Sequence, residues 1–452
     1  MWSRVPSSGA ESRPGRPIPP AASWTYRGAE KTTMADPTPL TGVPEFFERV
    51  IEGVRTLPAM SQPLLECIGL ACAEDVTADV ALPSFDNAAM DGYAVVLADL
   101  EGATEDTPVQ LPVIGEIGAG QARIMALSPG TTAKIMTGAP VPAGSDAVVP
   151  YEWTDRGVAQ VRIGRAPTPL QHIRHAGEDV RAGEIVVSAG TVIGPRHIGL
   201  LAAIGRSHLL VRPRPRVVVI STGSELRDPG SAIGHDSIYD GNSWMLAAAA
   251  RAAGAKAFRV GIVQDEPHAF LEALSDQLVR ADLIVTSGGV SAGDFDVVKE
   301  ALSAYGSMWF GSVAMQPGKP QGFGLVGEDG TPIITLPGNP VSAYVSFEVF
   351  ALPAIRKLMG VAPYARPLRR ALLTHPVTSI RGRRQFLRGE YVVPTGVGGN
   401  AARSAHVTPV GGPGSHLLGD LAASNALIVV PESVTRIEAG QPVHVLALDE
   451  QF

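Results

Sequence analysis

Cysteine, long apolar runs and excess positive charge are all scarce in this 452-residue sequence. Its two cysteines, Cys67 and Cys72, are too few and too close together for a disulfide scaffold or a zinc site. We expect both to be buried helix residues in a protein of the reducing cytoplasm. No uninterrupted apolar stretch reaches about 18 residues, which argues against a membrane span.

The charge balance limits the partners of the chain. Against 37 Lys and Arg stand 44 Asp and Glu, so the formal net charge is −7. This balance argues against nucleic acid as a main partner, because duplex binding needs a basic face. An anionic ligand would therefore be held by local dipoles, by a few basic side chains or by a metal ion.

The first 33 residues lack the apolar core of a signal peptide and contain Pro, Arg and Ser. We expect residues 1–33 to be a disordered N-terminal extension, or an upstream start that the cell does not use. An organelle transit peptide is the less favoured alternative. Ordinary sequence begins at Met34.

Glycine and proline are abundant, with 50 and 38 residues, and the hydrophobic pattern between their turns predicts a multidomain α/β plus β protein. Residues 34–213 begin with helical spacing and continue as an elongated, mostly β region of one or two subdomains, one inserted in the other. Residues 214–362 alternate strands and helices, which predicts a doubly wound α/β domain. Residues 363–452 predict a small β-barrel-like domain.

Turns rich in Gly, Ser, Asn or Pro interrupt the apolar segments of the α/β region. They are Thr222-Gly223-Ser224-Glu225 after RVVVIS, Asp240-Gly241-Asn242-Ser243 before a helix, Ser287-Gly288-Gly289 after ADLIVT, and Pro337-Gly338-Asn339-Pro340 after TPIITL. Open α/β sheets bind ligands at the carboxyl ends of their strands. Exposed N–H groups and helix N-termini there suit oxyanions. The turns therefore predict an anion-binding active site.

Two of these turns also have a purely structural interpretation. Thr222 and Glu225 have the spacing of a capping box, and Asn242 or Ser243 would serve as a helix N-cap. The functional alternative places Glu225 at the sheet edge as a ligand of a metal ion or a ribose. The residues alone leave both interpretations open.

The segment from Ser287 to Asp296, SGGVSAGDFD, points more clearly to a ligand. Its glycines, Gly293 among them, let the backbone approach a phosphate, and Asp294 and Asp296 follow at once. Carboxylates beside a phosphate site are expected where Mg²⁺ bridges them. A flexible loop with Asp294 as N-cap is the alternative.

Two further segments complete the predicted rim. Pro317-Gly318-Lys319-Pro320 holds Lys319 in a stiff turn, which suits a fixed positive charge on an oxyanion, although a surface lysine is the plainer explanation. Ser342 would lie just inside the last helix of the α/β region, where its N–H and hydroxyl could bind phosphate.

Polar segments also occur in the β region. PSFDNAAMDGYA contains Asp86 and Asp91, IMTGAPVP contains Thr137, and RHAGED contains Arg174 and Asp179. Each could be loop scaffolding, and nothing in the local sequence shows that these segments meet.

The motifs FDNAAMDGYAV, KIMTGAPVPAGSDAVVP, RHAGEDV, STGSEL, TSGGVSAGDFD, PGKP and LPGNPVSA occur in this order along one chain. The ordered set resembles the molybdopterin molybdenumtransferase family, to which the C-terminal part of gephyrin is related, over about residues 40–448. The resemblance implies an enzyme that inserts molybdate into adenylylated molybdopterin, releases AMP and uses Mg²⁺. It also implies a homodimer in which the α/β domain meets the β region of the other subunit.

Motif by motif, the resemblance assigns functional roles to specific side chains. Catalytic positions are Asp91, Thr137, Asp179, Glu225, Asp265 and Asp296. Among these, Glu225, Asp265 and Asp296 are the expected metal ligands, and Asp91 is expected to manage a proton beside molybdate. Together with the turns above, it gives ligand-binding positions at Asp86, Arg174, Thr222, Gly223, Asp240, Asn242, Ser287, Gly288, Gly289, Gly293, Asp294, Pro317, Gly318, Lys319, Pro337, Gly338, Asn339, Pro340, Ser342, Arg388 and Ser415.

The chain departs from the family pattern at two positions. Gln316 and Ser312 stand where lysines are common, so Lys319 and backbone amides would carry more of the oxyanion electrostatics.

Two other functions fit parts of the pattern. Molybdopterin adenylyltransferase shares the TSGG motif, but the β region with FDNAAMDGYAV and MTGAP argues against it. A non-catalytic scaffold is disfavoured by the acidic residues. An adenylyltransferase remains an expected partner that delivers the substrate.

Overall fold

The computed structural model describes residues 40–120, 126–289, 297–303, 307–394, 404–450 and 452. The predicted extension over residues 1–33 lies outside the described residues, and so do Gly293, Asp294 and Asp296 of the predicted site.

The first described helix, α1 (Val43–Gly53), packs with the α/β region rather than with the β region that follows it. Its apolar stripe of Val43, Phe46 and Val50 is buried in the core of the central sheet, as expected for an amphipathic helix. The ring of Phe46 meets that of Phe350 edge to face, with 4.7 Å between the centroids.

The second segment with helical spacing forms only one 3₁₀ turn, Leu64–Cys67. Cys67 and Cys72 are buried as expected, but the prediction that both lie in a helix is wrong. Gly69, with φ at +75°, ends the turn, and Cys72 then forms a β-bridge with Val211.

The N-terminal β region has two parts. One part is a five-stranded sheet in the order β7-β4-β6-β5-β8. The other part consists of the two-stranded ribbons β1–β11 and β2–β10, in each of which one strand comes before that sheet in the sequence and the other after it. Strand β3 pairs with β9. The elements are β1 (Met60–Pro63), β2 (Val76–Thr77), β3 (Asn87–Ala88), β4 (Gly92–Val95), β5 (Val109–Ile117), β6 (Thr132–Ile135), β7 (Ala147–Pro150), β8 (Gln160–Ile163), β9 (Ile173–Arg174), β10 (Ile185–Val187), α2 (Pro195–Ala203) and β11 (His208–Val211).

The central region is a six-stranded sheet with helices on both faces. Its elements are β12 (Arg216–Ser221), β13 (Leu226–Arg227), β14 (Ile238–Tyr239), α3 (Asn242–Ala252), β15 (Lys256–Arg259), α4 (Pro267–Leu278), β16 (Leu283–Ser287), α5 (Val297–Ser303), β17 (Trp309–Ser312), β18 (Met315–Gln316), β19 (Pro320–Val326), β20 (Thr331–Leu336), α6 (Pro340–Ser346) and α7 (Leu352–Leu358). A π-helical segment, Phe347–Ala351, joins the last two helices.

The strand order of the central sheet is β15-β12-β16-β20-β19-β17, in which the first four strands are parallel. Strands β19 and β17 add an antiparallel edge. Separate apolar cores cover the two faces, one with α3 and α6 and the other with α4 and α5. The expectation of a doubly wound α/β domain is confirmed, and the parallel strands β12, β16 and β20 all end at the same edge.

The C-terminal region forms a closed β-barrel, which confirms the expected fold. Strands β23, β24, β21, β27 and β25 pair in a ring that closes between β25 and β23, and β18 of the central region joins β23 in parallel. The elements are β21 (Leu368–Leu373), β22 (Val377–Thr378), β23 (Arg384–Val392), β24 (His406–Pro409), α8 (Leu418–Ala422), β25 (Ala426–Val430), β26 (Arg436–Ile437) and β27 (Pro442–Ala447). Among the described residues, no helix is both long enough and apolar enough to traverse a bilayer.

Candidate active site

A cleft of about 640 Å³ opens at the carboxyl edge of the central sheet. Its walls come from the turns after β12, β16 and β20, from the starts of α3 and α6, and from the segment 411–418 between β24 and α8 (the barrel loop). The predicted site residues that line it are Thr222, Gly223, Glu225, Asp240, Asn242, Asp265, Ser287, Gly288, Gly289, Gly338, Asn339 and Pro340.

The turn after β12 exposes functional groups to the cleft. The segment after Glu225 is strand β13, not a helix, so the capping-box interpretation of Thr222 and Glu225 is wrong. The hydroxyl of Thr222 is buried and has no hydrogen-bond partner among the described residues. A buried hydroxyl without a partner is costly, and the Thr222 oxygen is closed off from the cleft.

Two carboxylates lie at the mouth of the cleft. Asp265 accepts a hydrogen bond from the Ser224 N–H at 3.0 Å through Oδ2, which fixes the turn that carries the exposed Glu225. Both carboxylates line the cleft. In the described part of the chain, no group of at least three His, Cys, Asp or Glu side chains forms a metal cage.

Asp240 is 1% exposed and already bonded to the protein. It accepts hydrogen bonds from the Ser243 N–H at 2.9 Å and from the Ser221 hydroxyl at 3.3 Å, and it lies 3.6 Å from the Arg259 guanidinium. The N-cap of α3 is Gly241, and Asp240 just before it accepts from the first turn, so the suggestion that Asn242 or Ser243 is the N-cap is wrong.

Asn242 instead joins the turns of three elements. Its side-chain amide donates to the Ser287 hydroxyl at 2.9 Å and to the Gly338 carbonyl at 2.6 Å. It thereby holds the ends of β16 and β20 against the start of α3.

Glycine is favoured at positions 288 and 289, where these turns approach each other. Gly288 and Gly289 have φ values of +98° and +68°, in the left-handed region that other residues avoid. A Cβ at position 288 would lie 3.1 Å from the Thr222 carbonyl oxygen, and one at position 338 would lie 3.6 Å from the Gly288 Cα. The floor of the cleft is therefore bare backbone.

The predicted rim residues lie at the same edge but outside the described lining of the cleft. The pairing of Gly322 with Thr335 places the turn of Pro317, Gly318 and Lys319 beside the end of β20. Ser342 is buried inside α6, with 4% exposure. Gln316, one of the departures from the family pattern, accepts a hydrogen bond from the Arg383 guanidinium at 3.2 Å.

The barrel contributes residues that the motif analysis missed, His416 and Leu418, which line the cleft. Their one signal in the sequence is that they follow Ser415, whose carbonyl accepts a hydrogen bond from the Val341 N–H at 3.0 Å. Arg388 itself is buried and donates to the Gly414 carbonyl at 3.0 Å and to the Gly412 carbonyl. Arg388 thus contacts the barrel loop.

The polar segments of the β region do meet, which the local sequence could not show. Backbone hydrogen bonds join Ala88 to Ala139 and Gly177 to Pro83. The Asp91 carboxylate accepts from the Thr137 N–H and from the Thr137 hydroxyl, both at 2.7 Å.

The other acids of this cluster differ in their surroundings. Asp86 accepts from the Ala176 N–H at 2.7 Å and lies 3.2 Å from the His175 ring. These two contacts, that of the N–H first, lower the pKa of Asp86. Asp179 and Arg174 are exposed. None of the described residues of this cluster is among those that line the cleft.

An α/β domain with a polar, glycine-floored cleft, placed between two β regions, defines a multidomain enzyme that suits an anionic ligand. Comparison with known families is consistent with that class. Residues 41–205 match the MoeA N-terminal region (domain I and II), residues 218–357 match the probable molybdopterin binding domain, and residues 370–448 match the MoeA C-terminal region (domain IV).

Individual relatives cover most of the chain. Molybdopterin molybdenumtransferase 2 of Mycobacterium tuberculosis is 47% identical over 412 residues, which span 90% of this chain and 99% of that protein. Molybdopterin molybdenumtransferase of Haemophilus influenzae is 35% identical over 382 residues, 84% of this chain and 91% of that protein.

A solved structure shows the same architecture. The molybdopterin biosynthesis MoeA protein of Pyrococcus horikoshii superposes with a TM-score of 0.78 at 28% identity, covering 91% of this chain and 100% of that chain. The chain belongs to the molybdopterin molybdenumtransferase family. The resemblance inferred from the motifs and the expectation of a transferase of molybdenum cofactor biosynthesis are confirmed.

Proposed function

We propose that this protein inserts molybdate into adenylylated molybdopterin with release of AMP, in a reaction that needs Mg²⁺. The observation that carries the proposal is the cleft at the carboxyl edge of the sheet, which is lined by Glu225 and Asp265 together with the glycines of the strand-end turns. The names of the curated relatives support the transfer of molybdenum to molybdopterin.

The floor of the cleft binds the anionic part of the substrate. Gly288, Gly289 and Gly338 bring no side chain between the ligand and the backbone, and the starts of α3 and α6 favour negative charge.

Glu225 and Asp265 are suited to Mg²⁺. Mg²⁺ uses one or two protein carboxylates together with substrate phosphate oxygens, so a site of two carboxylates fits better than a closed protein cage. When bound, the ion neutralises charge on the phosphoanhydride as it is cleaved. Asp296 remains the predicted third acid.

Asp91 and Thr137 act on molybdate from the second subunit of a homodimer in this proposal. Asp91 is exposed, and its Oδ1 holds both hydrogen bonds from Thr137, which leaves Oδ2 to take a proton from a dithiolene thiol of molybdopterin and to pass it to an oxo ligand of molybdate. That oxygen departs as water with the protons of the two thiols, and the two dithiolene sulfurs take its place on molybdenum. The substrate is delivered by a molybdopterin adenylyltransferase in the cytoplasm, where buried thiols such as Cys67 and Cys72 stay reduced.

The test is incubation of the purified protein with adenylylated molybdopterin and Mg²⁺, with and without molybdate. We expect AMP release that depends on molybdate and fails with Glu225→Gln. Consumption of ATP would indicate adenylylation instead, and no turnover of either kind would indicate a scaffold.

Asp91→Ala tests the acid–base role separately. Since general acid–base catalysis contributes about 100-fold to 10,000-fold, we expect AMP release to slow by at least about 100-fold while substrate still binds. Asp106→Ala, which removes an exposed carboxylate of the same β region, is the matched control. Normal AMP release by Asp91→Ala would rule out the role of Asp91.

A further inference from the structure

The barrel loop (411–418) spans the starts of two helices of the α/β domain. The Ser415 carbonyl accepts the Val341 N–H at 3.0 Å at the start of α6. At the start of α3, a Cβ on Gly241 would lie 3.8 Å from Leu418 Cδ2. In the sequence, His416 lies between these two anchors, and it lines the cleft, so the loop brings a histidine of the barrel to the cleft wall.

Arg388 holds the backbone of the barrel loop. The guanidinium is 4% exposed and donates to the carbonyls of Gly412 and Gly414, with the Asp420 carboxylate at 3.8 Å. Gly411 has φ at +64°, and a Cβ there would come within 1.9 Å of Asp420 Oδ2. Two of the Arg388 donors are therefore bonded to the backbone of the barrel loop.

His416 differs in charge type from the other polar residues that line the cleft. Of the acidic and basic side chains that line the described part of the cleft, Glu225, Asp240 and Asp265 are carboxylic acids, and His416 is the one nitrogen base. The charge of Asp240 is offset by Arg259 at 3.6 Å.

We infer that His416 is a substrate-binding residue, which donates a hydrogen bond to a phosphate oxygen of the ligand held in the cleft, and that Arg388 positions His416 through the barrel loop. The inference rests on the proposed function for the identity of the ligand. It assigns Arg388 a positioning role in place of the direct ligand contact that the motif resemblance implied.

Binding of AMP, the proposed product, to the full chain in the presence of Mg²⁺ tests the role of His416. Removing a hydrogen bond to a charged group from a complex weakens affinity roughly 10-fold to 100-fold, so we expect His416→Ala to raise the Kd for AMP by that factor. His416→Gln, which keeps a donor without the charge, should lose less. His444→Ala changes an exposed histidine elsewhere on the same barrel and should bind AMP like the wild type.

Steady-state kinetics test the same contact in a second way. Because a binding contact made equally in the ground and transition states changes KM and not kcat, His416→Ala should raise KM more than it lowers kcat. An unchanged Kd for AMP in His416→Ala would overturn the assignment.

Arg388→Lys tests positioning, because lysine keeps the positive charge but lacks the planar fork that reaches two carbonyls. We expect it to raise KM with little change in kcat. If Arg388 acts only through His416, adding Arg388→Lys to His416→Ala should raise KM by no more than about twofold, since residues in one network are not additive. Full additivity of the two losses would show that Arg388 acts independently and would overturn its positioning role.

The proposed reaction and the proposed His416 contact can be disproved separately. If the wild-type protein shows no molybdate-dependent AMP release while His416→Ala still weakens AMP binding, the proposed reaction is wrong and the anion contact stands. If AMP release is normal and AMP binding ignores His416, the proposed reaction stands and the contact is wrong.

Discussion

At the scale of single residues, Asp91 shows how neighbouring donors prepare an exposed acid. The Thr137 N–H and then the Thr137 hydroxyl favour the ionised form, and they lower the pKa of Asp91 although partial desolvation opposes them. A carboxyl group whose pKa is lowered by folding stabilises the protein at pH values above its unfolded-state pKa, and that contribution is lost as the pH falls through the folded-state pKa. Asp91 is therefore a carboxylate at neutral pH, and the two Thr137 donors make it a weaker base than a free aspartate side chain.

Thr137→Val should raise the pKa of Asp91 toward its ordinary range, because valine removes the hydroxyl donor and leaves the main-chain N–H. A carboxyl-carbon NMR titration of labelled aspartate measures the change. Asp86 is the internal control, since its donors come from Ala176 and His175 and its lowered pKa should stay where it is. An Asp91 pKa that does not move would mean that the main-chain donor alone sets it.

At the scale of secondary-structure elements, the turn between β16 and α5 depends on Gly289. Its φ is +68°, and a Cβ there would lie 2.6 Å from Cγ2 and 3.1 Å from N of Val298, a fully buried residue of α5. The turn after β16 therefore approaches α5 more closely than any side chain permits.

Gly289→Ala should destabilise the α/β domain by roughly 2–4 kcal/mol, from left-handed backbone strain plus overpacking against α5. Gly230→Ala is the matched control in the same domain, because φ is +92° but nothing lies within 4 Å of the added Cβ. The control should therefore lose only the backbone part, about 1–2 kcal/mol. Urea unfolding measures both variants, and equal losses would show that the contact with Val298 relaxes without cost.

The sequence predicts elements better than it predicts their neighbours. Apolar runs ended by Gly or Ser located β12, β16 and β20, because buried parallel strands are continuous hydrophobic segments. The same rule could not show that β19 and β17 run antiparallel at the edge, since pairing partners are not encoded locally. The helical spacing around Cys67 and Cys72 misled for a similar reason: the chain there pairs with distant Thr191 and Val211.

At the scale of the whole molecule, the site draws on residues that are far apart in the chain. The turn residues of the cleft could be predicted, because each follows a strand of one parallel sheet. His416 could not, because its place depends on Arg388 and on the docking of Ser415 at Val341, both tertiary contacts. The contact of Asp91 with Thr137 likewise joins segments 46 residues apart, beyond the reach of local pattern.

The barrel and the α/β domain are also joined by a buried ion pair, Glu348 with Arg366. Glu348, in the π-helical segment, is 5% exposed and accepts from Arg366 Nε at 3.0 Å. Arg366 also donates to the carbonyls of Ala447 and Glu450 at 2.8 and 2.7 Å. The arginine thus ties the helix of one domain to the last strand of the other.

Arg366→Ala should destabilise the protein by about 3–5 kcal/mol at neutral pH, because it leaves Glu348 buried without its partner. Burial raises the pKa of Glu348 above the ordinary 4.5, and Arg366 opposes that rise, so the variant raises the pKa further. The stability linked to a carboxyl pKa that folding raises is present at pH values below the unfolded-state pKa, and it is lost as the pH rises through the folded-state pKa.

The loss caused by Arg366→Ala should therefore be small near pH 4.5 and grow toward neutrality, as seen by urea unfolding at a series of pH values. Arg436→Ala is the matched control, because its ion pair with Glu438 is exposed on the barrel surface, with side chains 58% and 60% accessible, and exposed pairs contribute little. That variant should unfold like the wild type at every pH. A loss for Arg366→Ala that does not vary with pH would show that the carbonyl contacts, and not the buried carboxylate, hold the two domains together.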